Sequence, residues 1–169
     1  MELEERVAEL ERRLAALEER DGQEEPVRAG GRGDFWALEG LKDRLAQAGA
    51  GDGGVMFTGA VRLPTDERYE WQYGTLTESL WELDWNRAAD SFAALGHPVR
   101  LRLLREILGG RRTAAELTEL DGLGTTGQIY HHLRQLSAAG WLHTVGRGRY
   151  EVPPVRVVPL LVALTAAQP

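Results

Sequence analysis

Apolar residues recur along this chain with two different periods, and each period predicts a different kind of element. Between residues 2 and 20 they alternate at spacings of four and three, which is the seam of a coiled coil. The seam consists of Leu3, Val7, Leu10, Leu14 and Leu17. We therefore expect a coiled-coil helix over residues 1–21 that pairs in parallel with a second copy. The alternative is a helix that packs on its own domain.

The second period is two, and it predicts a β-hairpin in the front half of the chain. Residues 54–63 and 68–76 alternate apolar and polar side chains on either side of a turn at residues 64–67. We expect a helix over residues 35–48 before this hairpin and a short helix over residues 77–85 after it.

These elements form an accessory region over residues 35–86. The Gly-rich, charged stretch before it, residues 22–34, predicts a flexible linker. The accessory region is rich in aromatic side chains, which could form a core that clamps the wings of a dimer, a docking surface for a protein, or an apolar pocket for an effector. The candidate pocket residues are Trp36, Phe57, Tyr69, Trp71, Tyr73 and Trp81.

From residue 87 to residue 153 the pattern becomes a dense series of helices with start and stop signals. Thr113 and Glu116 have the spacing of a capping box, and Thr125 is a further N-cap. The predicted helices span residues 87–95, 99–108, 114–120 and 125–139, and a hairpin follows at 141–152. Three helices, a turn, a fourth helix and a hairpin are the order of a winged helix-turn-helix. The predicted fold class is mainly α with small β-hairpins (α+β).

Two apolar faces are expected to be buried. In the helix over residues 87–95, we expect Ala88, Phe92 and Leu95 to face inward. The C-terminal segment, residues 154–169, has almost no polar face, so its helix must be covered. We expect a symmetry mate to cover it, with contacts from Val158, Leu161 and Val162.

Charge separates the two halves of the chain. The net charge is −10 over residues 1–86 and +4 over residues 87–169, for a total of −6. A basic half in an acidic protein is typical of a localised nucleic-acid surface. The chain has no cysteine, which excludes disulfides, thiolate metal sites and cysteine nucleophiles. The sequence also has no phosphate loop and no paired-histidine metal motif, so we expect no enzyme activity, no cofactor and no metal.

Residues 1–25 are charged throughout, which is unlike a signal peptide. No apolar run reaches the roughly 18 residues that a membrane span needs. We therefore expect a cytoplasmic protein without a membrane partner.

The helix over residues 125–139 is the candidate recognition helix, because its apolar residues share one face and its polar residues lie opposite. Glutamine and arginine suit adenine and guanine edges, and a Thr methyl or Tyr ring suits the thymine methyl. The candidate base-reading residues are Thr126, Gln128, Tyr130, His131 and Arg134. His132, at the edge of the apolar face, is expected to be packed and hydrogen-bonded.

Cationic and hydroxyl side chains around this helix are candidates for contacts with the DNA backbone. They are Thr125, Arg100, Arg102, Arg111, Arg112 and, at the tip of the wing, Arg147 and Arg149.

The stretches FAALGHPVRLRLLREIL, TAAELTEL, GQIYHHLRQLSAAGWL and GRGRYEV resemble the ArsR-type winged-helix repressors of bacteria over residues 91–152. The resemblance implies a dimeric repressor whose terminal helices form the interface. The metal-sensing residues of that family are missing, because AELTELDG has no cysteine and PLLVALTAAQP has no acidic residue or histidine. The resemblance therefore does not imply metal sensing.

Together these features predict a dimeric, sequence-specific transcriptional regulator, most simply a repressor, that binds double-stranded DNA at an inverted-repeat operator. A small-molecule or protein effector could control it. The alternative is a winged-helix protein-interaction module whose acidic N-terminal half binds a protein partner.

Overall fold

The structure is a computed structural model that describes Arg12, residues 35–146 and residues 148–168. The chain divides into two units after Glu39, and the winged helix belongs to the second unit, Gly40–Pro169. The predicted heptad seam, the linker and Arg147 lie outside the described residues, so the coiled coil stays a prediction.

Seven helices and two hairpins account for the regular structure in residues 35–146 and 148–168. The helices are α1 (Trp36–Gln47), α2 (Thr77–Glu82), α3 (Trp85–Leu95), α4 (Pro98–Leu108), α5 (Ala114–Thr118), α6 (Thr126–Ala138) and α7 (Pro154–Ala166). The strands are β1 (Gly54–Arg62), β2 (Arg68–Leu76), β3 (His143–Val145) and β4 (Arg149–Glu151). β1 and β2 form one antiparallel hairpin, and β3 and β4 form the other. This mixed α/β architecture is consistent with the predicted winged helix-turn-helix.

Local capping explains where α3 and α4 begin. The carboxylate of Asp84 accepts a hydrogen bond from the backbone N–H of Asn86 at 3.0 Å, so α3 starts two residues before the predicted position. At α4, the imidazole Nδ1 of His97 accepts from the N–H of Val99 at 3.2 Å. Pro98 then occupies the first turn of α4, where its missing N–H costs nothing.

The core lies where α4, α5, α6 and α7 meet, and its largest side chains are essentially inaccessible to solvent. They are Leu103, Leu104, Ile107, Leu117, Ile129, Leu133, Leu136, Val157, Val158 and Leu160. Trp141 closes one side of this core. Its indole N–H donates to the carbonyl of Ser91 at 3.1 Å, and the guanidinium of Arg156 lies 4.9 Å from its ring centroid. These contacts connect α3, the base of the wing and α7.

The front hairpin covers the C-terminal helix. Gly59 of β1 is paired with Trp71 of β2, and it faces Val158 so closely that a Cβ atom at Gly59 would lie 2.6 Å from Val158 Cγ1. Val158 is 1% exposed in the single chain. Our expectation that Val158 lies at a dimer interface is therefore corrected, because the hairpin of the same chain provides the cover.

The buried face of α3 also differs from the expected one. Ala94 and Leu95 are buried, but Phe92 is 66% exposed and Ala88 is exposed as well. Leu95 was predicted correctly. The prediction for Phe92 is wrong because α3 contacts the core mainly through its C-terminal turn. Phe92 lies one turn earlier and projects into solvent.

None of the described helices is both long enough and apolar enough to cross a membrane.

The contact between Gly59 and Val158 predicts a specific sensitivity. The Gly59→Ala substitution should lower the free energy of unfolding by about 1–3 kcal/mol, because the new methyl group must displace Val158 or the strand. Denaturant unfolding of wild type and variant measures this difference.

Gly74→Ala in the same hairpin is the matched control, since its Cβ would meet only ordinary contacts, the nearest at 3.6 Å. Equal stability of the two variants would contradict the close packing of β1 on α7.

Candidate nucleic-acid interface

A reciprocal capping box begins α6. The hydroxyl of Thr125 accepts from the N–H of Gln128 at 3.4 Å, and the side-chain Oε1 of Gln128 accepts from the N–H of Thr125 at 2.8 Å. Gly124, at φ +96°, turns the chain into this cap. The cap fixes the N-terminus of α6. It uses the carboxamide oxygen of Gln128, so the NH₂ group of the same side chain can still donate to a ligand.

The two faces of α6 have opposite character. Ile129, Leu133 and Leu136 are completely buried against the core, as the sequence predicted. The opposite side of α6 is exposed along its length. The candidate base-reading residues on that exposed side are Thr126, Gln128, Tyr130, His131 and Arg134. All five therefore lie where a nucleic acid could reach them.

His132 lies between these faces. It is partly buried, but its Nδ1 atom is buried without a hydrogen-bond partner among the described residues, contrary to the expected hydrogen bond. Its ring centroid lies 4.6 Å from that of His97 and 5.8 Å from that of His131. Burial lowers the pKa of His132, and its electrostatic interactions with His97 and Arg100 lower it further. Both effects favour the neutral form of His132.

The wing consists of β3 and β4, joined by a turn in which Gly146 and Gly148 both have positive φ angles. The N–H of Tyr150 donates to the carbonyl of Arg112 at 2.7 Å, and the N–H of Ala114 donates to the carbonyl of Gly148 at 3.2 Å. Thr113 also forms a β-bridge with Arg149. Residues 112–114 are thus joined to the wing by an isolated β-bridge and by these two backbone hydrogen bonds.

Arg112 is occupied by ion pairs. Its guanidinium binds the carboxylate of Glu67, in the turn of the front hairpin, and that of Glu151 on β4, at 3.2 Å. The Arg112 side chain is only 12% exposed. We therefore remove Arg112 from the candidate phosphate ligands, because binding a phosphate would break both pairs.

Arg100 is similarly occupied. Its guanidinium donates to the carbonyls of Ala93 and Ala94 and to the side chain of Gln135 on α6, the last at 2.6 Å. It joins the C-terminus of α3 to α6 and is also removed from the candidate phosphate ligands. The role of Gln135 was not expected, since its partner lies 35 residues away in sequence.

Three further basic candidates within the described residues, Arg102, Arg111 and Arg149, are exposed. Arg102 donates to the carbonyl of Asp121 at 2.8 Å, Arg111 lies 3.7 Å from Glu106, and Arg149 donates to Glu151 at 3.3 Å. These are single contacts on exposed side chains, and such pairs contribute little to stability. A phosphate could therefore replace them.

The aromatic residues of the front half lie in different parts of the structure. Phe57 and Tyr73 pair across the hairpin with ring centroids 5.9 Å apart, while Tyr69 packs against the main core. Trp81 stacks on Trp85 with centroids 5.3 Å apart. Trp71 lines only a shallow surface depression, and Trp36 is largely exposed on α1. Within the second unit, the candidate effector residues therefore do not line one common pocket.

No group of three or more metal-binding side chains occurs within the described ranges.

Comparison with known families matches residues 95–145 to a helix-turn-helix domain. The matched segment runs from the end of α3 to β3, so it contains α4, α5, α6 and the first strand of the wing. This match supports a DNA-binding regulator of the helix-turn-helix class. No curated protein matched the chain.

The N-cap at the start of α6 can be tested by its contribution to stability. Thr125→Ala should lower the free energy of unfolding by about 0.5–2 kcal/mol, because the N-cap hydrogen bond is lost. Thr126→Ala removes the same kind of side chain at an exposed position and should change it by less than about 0.5 kcal/mol. Thermal or denaturant unfolding provides both values. Equal losses in the two variants would contradict the assigned cap.

Proposed function

We propose that this protein is a sequence-specific transcriptional repressor that binds an inverted-repeat operator as a homodimer, in the manner of the ArsR-type regulators that it resembles. The observation that supports this most strongly is the two-faced character of α6. Its aliphatic face is completely buried, and its other face exposes a mixed row of Thr, Gln, Tyr, His and Arg side chains. A helix anchored in this way can enter a major groove without unfolding.

The proposed reading of bases follows from the chemistry of that row. Arg134 can donate two hydrogen bonds to guanine, and the NH₂ group of Gln128 can donate to an acceptor on a base edge. The methyl group of Thr126 and the ring of Tyr130 suit a thymine methyl, while His131 can contact a base edge or a phosphate. Discrimination comes from the geometry of these contacts, since α6 is held rigidly by its core.

Phosphate contacts are proposed for Thr125, Arg102, Arg111 and Arg149, and for Arg147 in the turn of the wing. Such contacts increase affinity for any duplex and make binding decrease as salt rises. They position the protein on the helix but do not choose the sequence. A regulator of a bacterial chromosome acts in the cytoplasm, which is where we propose that this protein functions.

Binding to DNA through base contacts is tested by substitutions on α6. Arg134→Ala should weaken binding to a selected operator at least about fivefold, the low end of what one bidentate base contact provides, and should relax the preference at one base pair. Fluorescence anisotropy with duplexes selected from random DNA measures both effects.

Arg44→Ala on α1 is the control, because it removes the same charge from an exposed site outside the winged helix. The proposal fails if wild type binds no duplex at low salt. It also fails if the two variants lose affinity equally. Wild type that ignores DNA but binds a protein through its acidic half would favour the interaction-module alternative.

The homodimer needs a contact surface other than Val158, and α2 and α3 offer one. Trp81, Leu83, Trp85 and Phe92 are all more than half exposed, with Trp81 and Phe92 at 70% and 66%. Trp85 and Phe92 are separated by two turns of α3, so they lie on one face of that helix. We propose that this aromatic surface and Leu161 and Val162 of α7 contribute contacts to the homodimer, and that the heptad seam contributes a separate one.

Removing aromatic area from this surface should weaken the dimer. The double variant Trp85→Ser, Phe92→Ser should raise the dimer dissociation constant at least about tenfold, because large aromatic side chains contribute strongly to interfaces. Sedimentation equilibrium measures the constant. Val55→Ser, which alters an exposed apolar residue on β1, should leave it unchanged. A wild-type monomer, or an unchanged constant in the double variant, would contradict the proposed interface.

A further inference from the structure

The wing depends on a segment that precedes α5. The carbonyl of Arg112 accepts from Tyr150, and the N–H of Ala114 donates to Gly148 across the turn of the wing. Each strand of the wing is only three residues long, and a two-stranded hairpin of that size is marginal by itself. The position of β4 is therefore fixed largely by the position of residues 112–114.

The side chain of Arg112 connects this segment to the front hairpin. One Nη atom binds the carboxylate of Glu67 and the other binds Glu151 at 3.2 Å. Glu67 is itself oriented by the hydroxyl of Thr65, which donates to its carboxylate at 2.6 Å. The connection thus runs from the β1–β2 turn to Arg112, whose guanidinium binds the side chain of Glu151 and whose carbonyl accepts from the backbone of Tyr150.

The connection is partly shielded from solvent, since the side chain of Arg112 is 12% exposed and that of Glu67 is 37% exposed. Arg112 is largely buried, so solvent screens its two pairs less. The hydrogen bond from Arg112 lowers the pKa of Glu67, with the Thr65 hydroxyl as the next cause. The hydrogen bond to Glu67 likewise raises the pKa of Arg112, so both partners favour the charged pair.

The front hairpin lies outside the segment that matches the helix-turn-helix model. It packs closely on α7 through the contact between Gly59 and Val158. A rigid hairpin is a suitable anchor for a short wing. We propose that Glu67 is a positioning residue for the wing, which through Arg112 holds β4 and the exposed Arg149 where they meet DNA. This inference rests on the proposed function, since it assigns the front hairpin a role in the same DNA interface.

The test uses Glu67→Gln in the full-length protein, because glutamine keeps the shape of the side chain and removes its charge. Amide hydrogen exchange at Tyr150 and Ala114 should become about fivefold to tenfold faster, as expected when one charge-assisted hydrogen bond is lost. Affinity for the selected operator should fall about threefold or more, although the variant carries one negative charge fewer.

Glu70→Gln is the matched control, since Glu70 is exposed on β2 of the same hairpin and the charge change is identical. It should leave the two exchange rates unchanged and should leave DNA affinity unchanged or slightly higher. Thermal unfolding establishes that both variants are folded at the temperature of the measurements.

A second pair of variants separates the connection from a local effect on the turn. In an Arg112→Gln background, Glu67→Gln should have no additional effect on exchange or on DNA affinity, because the interaction is already absent. Additive effects of the two substitutions would overturn the proposal.

The outcomes distinguish this inference from the proposed function. Unchanged exchange at Tyr150 and Ala114 in Glu67→Gln would overturn the connection, whatever the protein binds. Faster exchange with unchanged operator affinity would overturn the positioning role alone. Wild type that binds no duplex would overturn the proposed function and, with it, the role of the wing at DNA.

Discussion

The candidate recognition helix depends on six aliphatic side chains that α4 and α6 bury against each other. Leu103, Leu104 and Ile107 lie on α4, and Ile129, Leu133 and Leu136 lie on α6, with exposures of 0–1%. Burial of each contributes about 1.5–3 kcal/mol, whereas the cap at the start of α6 contributes about 1 kcal/mol. Packing therefore fixes the rotation of α6 about its axis, and the polar row is exposed because the opposite face is buried.

The accessory elements extend this arrangement. The front hairpin packs on α7 through Gly59 and reaches the wing through the ion pairs of Arg112 with Glu67 and Glu151. The same hairpin thus covers the apolar C-terminal helix and connects to the wing. In the helix-turn-helix segment alone, residues 95–145, neither contact would exist.

Sequence reasoning succeeded where the physics is local. The alternation on either side of residues 64–67 predicted the hairpin, although not its register, and the capping residues predicted the starts of α5 and α6 to within one residue. It failed where the result depends on which element packs against which. Phe92 fits an inward helical position but projects into solvent, and Val158 is covered by a strand about 100 residues earlier. The Glu67–Arg112 pair spans 45 residues, and nothing in the local sequence of either indicates its partner.

We propose that the exposed face of α6 and the wing form one DNA-binding surface. Titration of isotope-labelled protein with a selected operator, followed by amide chemical shifts, tests it most directly. We predict that the largest changes map to Thr126, Tyr130, His131 and Arg134 and to β4, with small changes on α1 and the outer face of the front hairpin. Changes concentrated on α1, α2 or the hairpin, with α6 unaffected, would contradict the account.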